Sequence, residues 1–156
     1  LDLHPEECSI TRLSGTHPEW GLGWGMILRL TCGFLWTGPR LVKAKLKKDI
    51  LADECPGCKG AAEDENHWVF HCPAWEDGRL VADKETGITI GERDRWTPSI
   101  PIDIVCGAMS LEERTKRYKW LAVFFTVTAS ERRAVLGNFD LPGRVLGRPF
   151  RDIVTA

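Results

Sequence analysis

The chain reads Cys55-Pro56-Gly57-Cys58, then His67, then Cys72, and no other pattern in it is as informative. The spacing is Cys-x2-Cys-x8-His-x4-Cys, all within eighteen residues. Three thiolates and an imidazole are what a closed tetrahedral Zn²⁺ site requires. The surrounding segment is acidic and has few core-forming residues, so a metal would supply the folding energy that it lacks. We therefore predict Zn²⁺ as the cofactor, with Cys55, Cys58, His67 and Cys72 as its ligands.

The fourth ligand has an alternative. His67 and His71 are four residues apart and share one face of a regular helix, whereas His67 and Cys72 diverge by about 140°. A Cys-Cys-His-His set that uses His71 would satisfy this geometry. We favour Cys72, because Pro73 must break the helix and allows Cys72 to turn inwards.

The sequence gives little support for catalysis. A site with four protein ligands has no open position for a substrate, although acidic residues 63–65 lie nearby. No nucleophile motif, phosphate loop or carboxylate pair rises above chance. Gly21-Leu22-Gly23-Trp24-Gly25 lacks a strand–turn–helix context, so we interpret it as a turn. We expect that the protein is not an enzyme.

Charge is unevenly distributed along the 156 residues, although the net charge is only −1. Residues 40–48 carry +5, residues 49–94 carry −8, and residues 111–156 carry +4. The simplest interpretation is solvated helix faces. The alternative is that the basic clusters bind nucleic acid phosphates, and the candidate contacts are Arg40, Lys43, Lys45, Lys47, Lys48, Arg114, Lys116, Arg117 and Lys119.

The remaining cysteines, Cys8, Cys32 and Cys106, are isolated and do not resemble a disulfide framework. We expect buried free thiols and a reducing intracellular compartment, with the nucleus and the mitochondrial matrix as alternatives. The chain starts at Leu1 rather than Met, so we expect a fragment or a processed product. The strongest apolar run, residues 120–127, is far shorter than the about 20 residues of a membrane span.

These patterns predict a mostly α fold: a small helical domain with a Cys-Cys-His-Cys zinc-stapled subdomain and irregular Pro/Gly-rich ends. Ser110 followed by Glu113 is a capping box that predicts a long helix over residues 110–137. Shorter helices are predicted over residues 24–36, 40–52 and 74–84, with a short strand at most over residues 88–90. The predicted regions are an irregular arm (1–23), a helical zinc-binding region (24–86), a loop (87–109), the long helix (110–137) and an extended tail (138–156).

The zinc motif and its surroundings resemble a known family. A stretch from Arg29 to Thr37 leads into a basic helix, followed by Cys55-Pro-Gly-Cys58 and by the segment from Glu63 to Trp75, which contains His67-x4-Cys72-Pro73, and then by Arg79. This arrangement resembles the zinc-binding region after the reverse transcriptase domain in non-LTR retrotransposon polyproteins. The resemblance covers roughly residues 25–110. It implies the same four zinc ligands and a role in holding RNA or DNA beside a polymerase.

The chain departs from that family in what it lacks. It has no Tyr/Phe-x-Asp-Asp polymerase motif and no arrangement typical of the associated endonuclease. We therefore expect a non-catalytic, zinc-stabilised structural subunit of a larger assembly, such as a ribonucleoprotein or an organellar complex, derived from a retrotransposon zinc-binding domain. Its partners would be other protein subunits of the complex, with RNA as a further candidate. The alternative is an RNA- or DNA-binding accessory domain of such a reverse transcriptase.

Overall fold

A computed structural model of the chain describes residues 10–31, 35, 37, 55–60, 63–96 and 110–136. Within these ranges the backbone is mostly helical and contains no strand, which confirms the predicted fold class. The helices are α1 (Ile10–Thr16), α2 (Gly21–Thr31), α3 (Glu76–Thr86), α4 (Ile90–Asp94) and α5 (Leu111–Leu136). Short 3-10 turns over Pro18–Trp20 and Pro73–Trp75 precede α2 and α3, and a π turn spans His67–His71.

Helix α5 forms the centre of the core. The Ser110 hydroxyl accepts a 3.2 Å hydrogen bond from the backbone N–H of Glu113, so the helix starts at the predicted N-cap. All six side chains from Trp120 to Phe125 are buried, and six consecutive residues cover every side of a helix. Both α2 and α3 pack against α5. Among the described helices, none combines the length and the hydropathy that crossing a bilayer would need.

The glycine-rich stretch at residues 21–25 is not the turn that we predicted, because it forms the first part of α2. Gly23 approaches α5 so closely that a Cβ atom would overlap the backbone of Ala122. Its N–H donates to Oγ1 of Thr126 at 3.1 Å. Glycine weakens a helix through backbone entropy, but here it permits close packing of two helices. This contact joins residues far apart in the chain and has no local signature.

The described part of the predicted irregular arm, residues 10–23, is also largely helical, since it contains α1, a 3-10 turn and the start of α2. Leu13 of α1 is buried in the core. The Trp24 indole N–H donates to the carbonyl oxygen of His17 at 2.9 Å, which fixes the connection between α1 and α2. The arm is therefore integrated with the core over these residues.

Helix α3 matches the helix predicted after Pro73. Gly87, at φ +72°, ends it in the left-handed conformation, and its N–H donates to the carbonyl oxygen of Asp83. The strand suggested for residues 88–90 is wrong, because Thr89 caps α4 by accepting a 3.1 Å hydrogen bond from the N–H of Glu92. Threonine is common both in strands and at the extended N-cap position before a helix, so its identity does not distinguish the two.

Other predictions lie outside the described residues. These are the helix over residues 40–52 with its basic cluster, the C-terminal tail at residues 138–156, and Cys8, Cys32 and Cys106.

Candidate metal centre

Cys55, Cys58, His67 and Cys72 come together in the structure. Their ligand atoms all lie within 4.8 Å of one another, close enough to hold a metal ion. Cys55 and Cys72 are fully buried, whereas Cys58 and His67 are partly exposed. His71 is exposed and is not part of the group. The cluster therefore contains Cys72, the ligand that we favoured, and not the histidine alternative.

The turn between Cys55 and Cys58 directs backbone donors at the sulfur atoms. The N–H of Gly57 donates to Sγ of Cys55 and the N–H of Gly60 donates to Sγ of Cys58, each at 3.4 Å. The turn closes with a 2.9 Å hydrogen bond from the N–H of Lys59 to the carbonyl oxygen of Cys55. Hydrogen bonds donated to sulfur favour its thiolate form, which is the form that binds metal.

A π turn brings His67 and Cys72 to the same side. The N–H of Cys72 donates to the carbonyl oxygen of His67 at 2.6 Å, a bond between residues five apart. Because this turn is wider than an α-helical turn, the fifth residue returns towards the first instead of diverging by about 140°. The Asp64 carboxylate caps the start of the segment by accepting from the N–H of His67 at 2.7 Å.

Cys72 itself leaves the helix, as the following proline demands. Its backbone is extended, at φ −65° and ψ 119°, which is the conformation favoured before proline. The expected helix break at Pro73 is therefore present. The π turn and the break together place the Cys72 sulfur against Cys55, with 3.6 Å between the two Sγ atoms.

Arg79 of α3 stabilises the π turn by donating hydrogen bonds to two of its carbonyl oxygens. This side chain is only 1 % exposed. Its Nε donates to the carbonyl oxygen of Val69 at 2.6 Å and its Nη2 donates to that of Trp68 at 3.1 Å. Its Nη1 donates to the Glu76 carboxylate at 2.8 Å, so the buried charge is paired. The two residues whose carbonyls it binds lie between the ligands His67 and Cys72.

Trp75 covers the cysteine turn. A Cβ atom added to Gly57 would lie 2.8 Å from the Trp75 ring and 3.0 Å from Cβ of Ala74. Trp75 is itself buried, at 4 % exposure. Glycine is therefore required at position 57 because an aromatic ring packs directly on the turn, rather than because of a left-handed backbone.

Glu63 joins the cluster to α5. Its carboxylate accepts two hydrogen bonds from Arg132, from Nε at 3.0 Å and from Nη2 at 2.5 Å, and both side chains have zero exposure. The thiol of Cys55 donates to the same carboxylate at 4.0 Å. The Arg132 guanidinium also lies 3.9 Å from the ring centroid of Trp68. A buried charge pair thus lies directly behind the ligands.

Burial sets the protonation of the ligands in the absence of a metal. It raises the pKa of Cys55, and the negative charge of Glu63 raises it further. Burial raises the pKa of Cys72 to about 12. Burial also lowers the pKa of His67, which keeps the imidazole neutral and able to bind metal. A metal ion must therefore displace protons from the thiols when it binds.

Three of the four described members of the predicted nucleic-acid set form ion pairs or line a groove that also contains acidic side chains. Lys116 pairs with Glu92 at 2.7 Å. Arg117 pairs with Glu113 at 3.3 Å and lies over the Trp96 ring at 5.1 Å. Lys119 and Lys116 line an open groove of about 430 Å³, and the groove is also lined by His17, Trp20, Glu85, Thr86, Glu112 and Thr115. Arg114 is half-buried on the same helix.

Sequence reasoning missed the residues that support the cluster. Nothing in the sequence connects Glu63 with Arg132, because they are 69 positions apart. Arg132 stands between Glu131 and Arg133 near the end of α5, so the local sequence gives no sign that its side chain has a buried partner. Arg79 was part of the family resemblance, but the resemblance gave it no structural role.

No family model, curated protein or solved structure matches this chain.

Proposed function

We propose that this protein is a non-catalytic structural subunit of a larger assembly, with Zn²⁺ as the staple of its fold. One observation carries the proposal: three cysteines and one histidine place their ligand atoms within 4.8 Å of one another. These donors are soft thiolates and a neutral imidazole, which suit Zn²⁺ and do not suit Mg²⁺ or Ca²⁺. The surrounding hydrogen bonds and buried charges hold the donors in place.

The separations within the cluster support Zn²⁺. Ordinary Zn–S and Zn–N bonds of about 2.3 and 2.0 Å imply that tetrahedral ligands are about 3.8 Å apart for two sulfurs and about 3.5 Å for sulfur and nitrogen. The two Sγ atoms of Cys55 and Cys72 are 3.6 Å apart, and Sγ of Cys58 lies 3.4 Å from Nε2 of His67. These two of the six separations match the values for tetrahedral Zn²⁺, and the others are no longer than 4.8 Å.

The closed ligand set supports a structural role. Four protein ligands complete the coordination of Zn²⁺ and leave no position for a substrate or an activated water. The open groove beside Lys116 and Lys119 is lined by no residue of the metal cluster, so a ligand in that groove would not meet the metal. Bound Zn²⁺ would contribute folding energy and no chemistry.

The ligand spacing and its surroundings support a retroelement origin. The Cys-x2-Cys-x8-His-x4-Cys pattern, with Trp68, Trp75 and Arg79 beside it, is what resembles the zinc-binding region of non-LTR retrotransposon polyproteins. Without the polymerase, the stapled fold would serve assembly with other protein subunits, in a reducing compartment that keeps the thiols available. The ion pairs of Lys116 and Arg117 favour this role over the alternative, an RNA- or DNA-binding accessory domain.

The metal is tested on the purified protein. We expect one Zn²⁺ per chain by elemental analysis, and a lower free energy of unfolding after removal of the ion with a chelator. A His67→Gln variant should lose the ion. A protein that contains no Zn²⁺ and unfolds identically with and without the chelator would contradict the proposal.

The assembly is tested by the native mass of the endogenous protein in cell extract, before and after nuclease treatment. A large particle that survives nuclease is the expected result. A particle that collapses would favour the nucleic-acid-binding alternative. A species near the chain mass of 17.6 kDa under both conditions would exclude a stable assembly.

A further inference from the structure

Arg132 connects the second half of α5 with the metal-binding segment. Its guanidinium forms a two-point ion pair with Glu63, and neither side chain has any exposure to solvent. Glu63 stands four residues before His67, at the start of the segment that supplies two of the four ligands. The pair therefore ties the segment to a helix whose sequence is distant from it.

The same guanidinium touches a second point of the segment. It lies 3.9 Å from the ring centroid of Trp68, the residue immediately after His67. The Trp68 ring in turn packs edge-on against Phe125 of α5, with 5.5 Å between ring centroids. On the other side, the carboxylate of Glu63 lies 4.0 Å from Sγ of Cys55. Arg132 thus contacts Trp68, which follows the ligand His67, and Glu63, which lies against the ligand Cys55.

We propose that Glu63 and Arg132 are positioning residues that couple metal binding to the packing of the second half of α5. This inference rests on the proposed function, because it requires a bound ion. A buried ion pair is seldom the most stable filling of a core, and its best-attested use is to fix one arrangement among several. Here the fixed arrangement is that of the ligand segment on α5.

The coupling must act in both directions. If the ion pair raises the affinity for the metal by some factor, bound metal must favour the packing of α5 around Arg132 by the same factor. Residues that orient metal ligands typically change metal affinity by about 10- to 100-fold when they are removed. The expected coupling is in this range.

Removing one partner alone would leave a charge buried and unpaired. The resulting loss of stability could not be distinguished from a loss of coupling to the metal. The variant of choice therefore replaces both, as Glu63→Leu with Arg132→Met. The matched control replaces the pair Glu92 and Lys116, which also joins α5 to another helix, as Glu92→Gln with Lys116→Met. Neither residue of the control pair is one of the four ligands.

Two measurements test the proposal. The first is Zn²⁺ affinity, by competition with a chromophoric chelator; we expect the Glu63/Arg132 variant to bind one Zn²⁺ about 10- to 100-fold more weakly, and the control variant to bind like the unchanged protein. The second is amide hydrogen exchange of α5. In the unchanged protein, Zn²⁺ should slow exchange over residues 128–136 more than over residues 111–118, and this difference should disappear in the Glu63/Arg132 variant.

The outcomes separate this inference from the proposed function. If the unchanged protein binds Zn²⁺ but exchange over residues 128–136 does not respond, the coupling is refuted and the metal site stands. Unchanged Zn²⁺ affinity in a folded Glu63/Arg132 variant would refute it equally. If the Glu63/Arg132 variant does not fold, the effect of Zn²⁺ on amide exchange over residues 128–136 of the unchanged protein still tests the coupling. A protein that binds no Zn²⁺ overturns both proposals.

Discussion

The guanidinium of Arg79 takes the place of the hydrogen-bond donor that Pro73 lacks, because its Nε donates at 2.6 Å to the carbonyl oxygen of Val69. In a continued α-helix, the N–H of residue 73 would bind that oxygen. Proline has no N–H, so the break that frees Cys72 also leaves buried carbonyl groups without their helical donor. The Nη2 of Arg79 binds a second one, that of Trp68. The helix thus breaks at Pro73 while the carbonyl groups of Val69 and Trp68 both keep a donor.

Replacing Arg79 should therefore destabilise the protein. Arg79→Gln removes the two carbonyl contacts and one of the two arginine partners of Glu76, and we expect a loss of about 2–4 kcal/mol in the free energy of unfolding. Urea denaturation of the metal-loaded protein measures it. Lys84→Gln, on the exposed side of the same helix, is the matched control and should change stability by less than about 0.5 kcal/mol. Equal effects in the two variants would contradict the role given to Arg79.

The two histidines should behave differently on substitution. His67→Gln removes a ligand, and we expect loss of stoichiometric metal binding and of the associated thermal stability. His71→Gln should retain both, because His71 is exposed and lies outside the cluster. Cobalt substitution provides the measurement, since its visible absorption reports the ligand set. Loss of the tetrahedral Co²⁺ spectrum in His71→Gln, with retention in His67→Gln, would reverse the ligand assignment.

Gly57→Ala should disturb the cysteine turn. The new Cβ would lie 2.8 Å from the Trp75 ring, a separation that forces the turn or the ring to move. Overpacking of this kind typically costs about 1–3 kcal/mol. Gly60→Ala is the control in the same turn, because its nearest neighbours would be 3.8 Å away. Thermal denaturation of the metal-loaded variants should show a lower Tm for Gly57→Ala alone, and comparable Tm values would exclude the contact.

Lys59 adopts a left-handed backbone at φ +58°, which is unfavourable for a residue with a Cβ atom. Lys59→Gly should relieve this strain and stabilise the protein by about 0.5–1 kcal/mol, after the entropy cost of glycine in the unfolded chain. Lys59→Ala keeps the strain and removes only the charge, so it should show no gain. Chemical denaturation of both variants distinguishes backbone strain from charge, and an equal gain in both would assign the effect to charge.

The metal-free protein should lose stability at alkaline pH. Burial raises the pKa of Cys72 to about 12 from the ordinary value of 9.0. The folded state therefore keeps a proton that the unfolded state releases, so stability is retained below about pH 9 and declines as the pH rises towards 12. The metal-loaded protein should lack this decline, because metal-bound sulfur carries no proton. Urea denaturation between pH 7 and pH 10.5 tests it, with metal-free Cys72→Ala as the control that should show a smaller slope.

The sequence was most informative where neighbouring residues alone decide the conformation, as at a helix cap or before a proline. The Ser110 hydroxyl caps α5 as its spacing with Glu113 predicts, and Pro73 breaks the helix after Cys72. Spacing indicated Cys55, Cys58 and His67, and Pro73 favoured Cys72 over His71 as the fourth ligand. The metal group, the helical class and the long helix thus follow from short-range chemistry.

Two local predictions failed, for different physical reasons. The glycines at residues 21–25 look like a turn until Ala122 is placed against Gly23. Residues 88–90 have strand propensity, but Thr89 is the N-cap of α4. The first interaction is invisible in the local sequence, whereas the second is a local Thr-x-x-Glu capping pattern over residues 89–92 that outweighed strand propensity.

The amino-acid sequence by itself indicated Cys55, Cys58 and His67 as members of the candidate metal cluster and favoured Cys72 over His71, because the candidates lie within eighteen residues and Pro73 breaks the helix. Only the tertiary structure decided how the cluster is supported. Arg79 holds the π turn that aligns His67 with Cys72, through a contact that replaces a missing N–H. The buried pair of Glu63 with Arg132 joins segments that are 69 residues apart. Burial makes an unpaired polar group costly, and only the complete fold determines which groups are buried together and can satisfy one another.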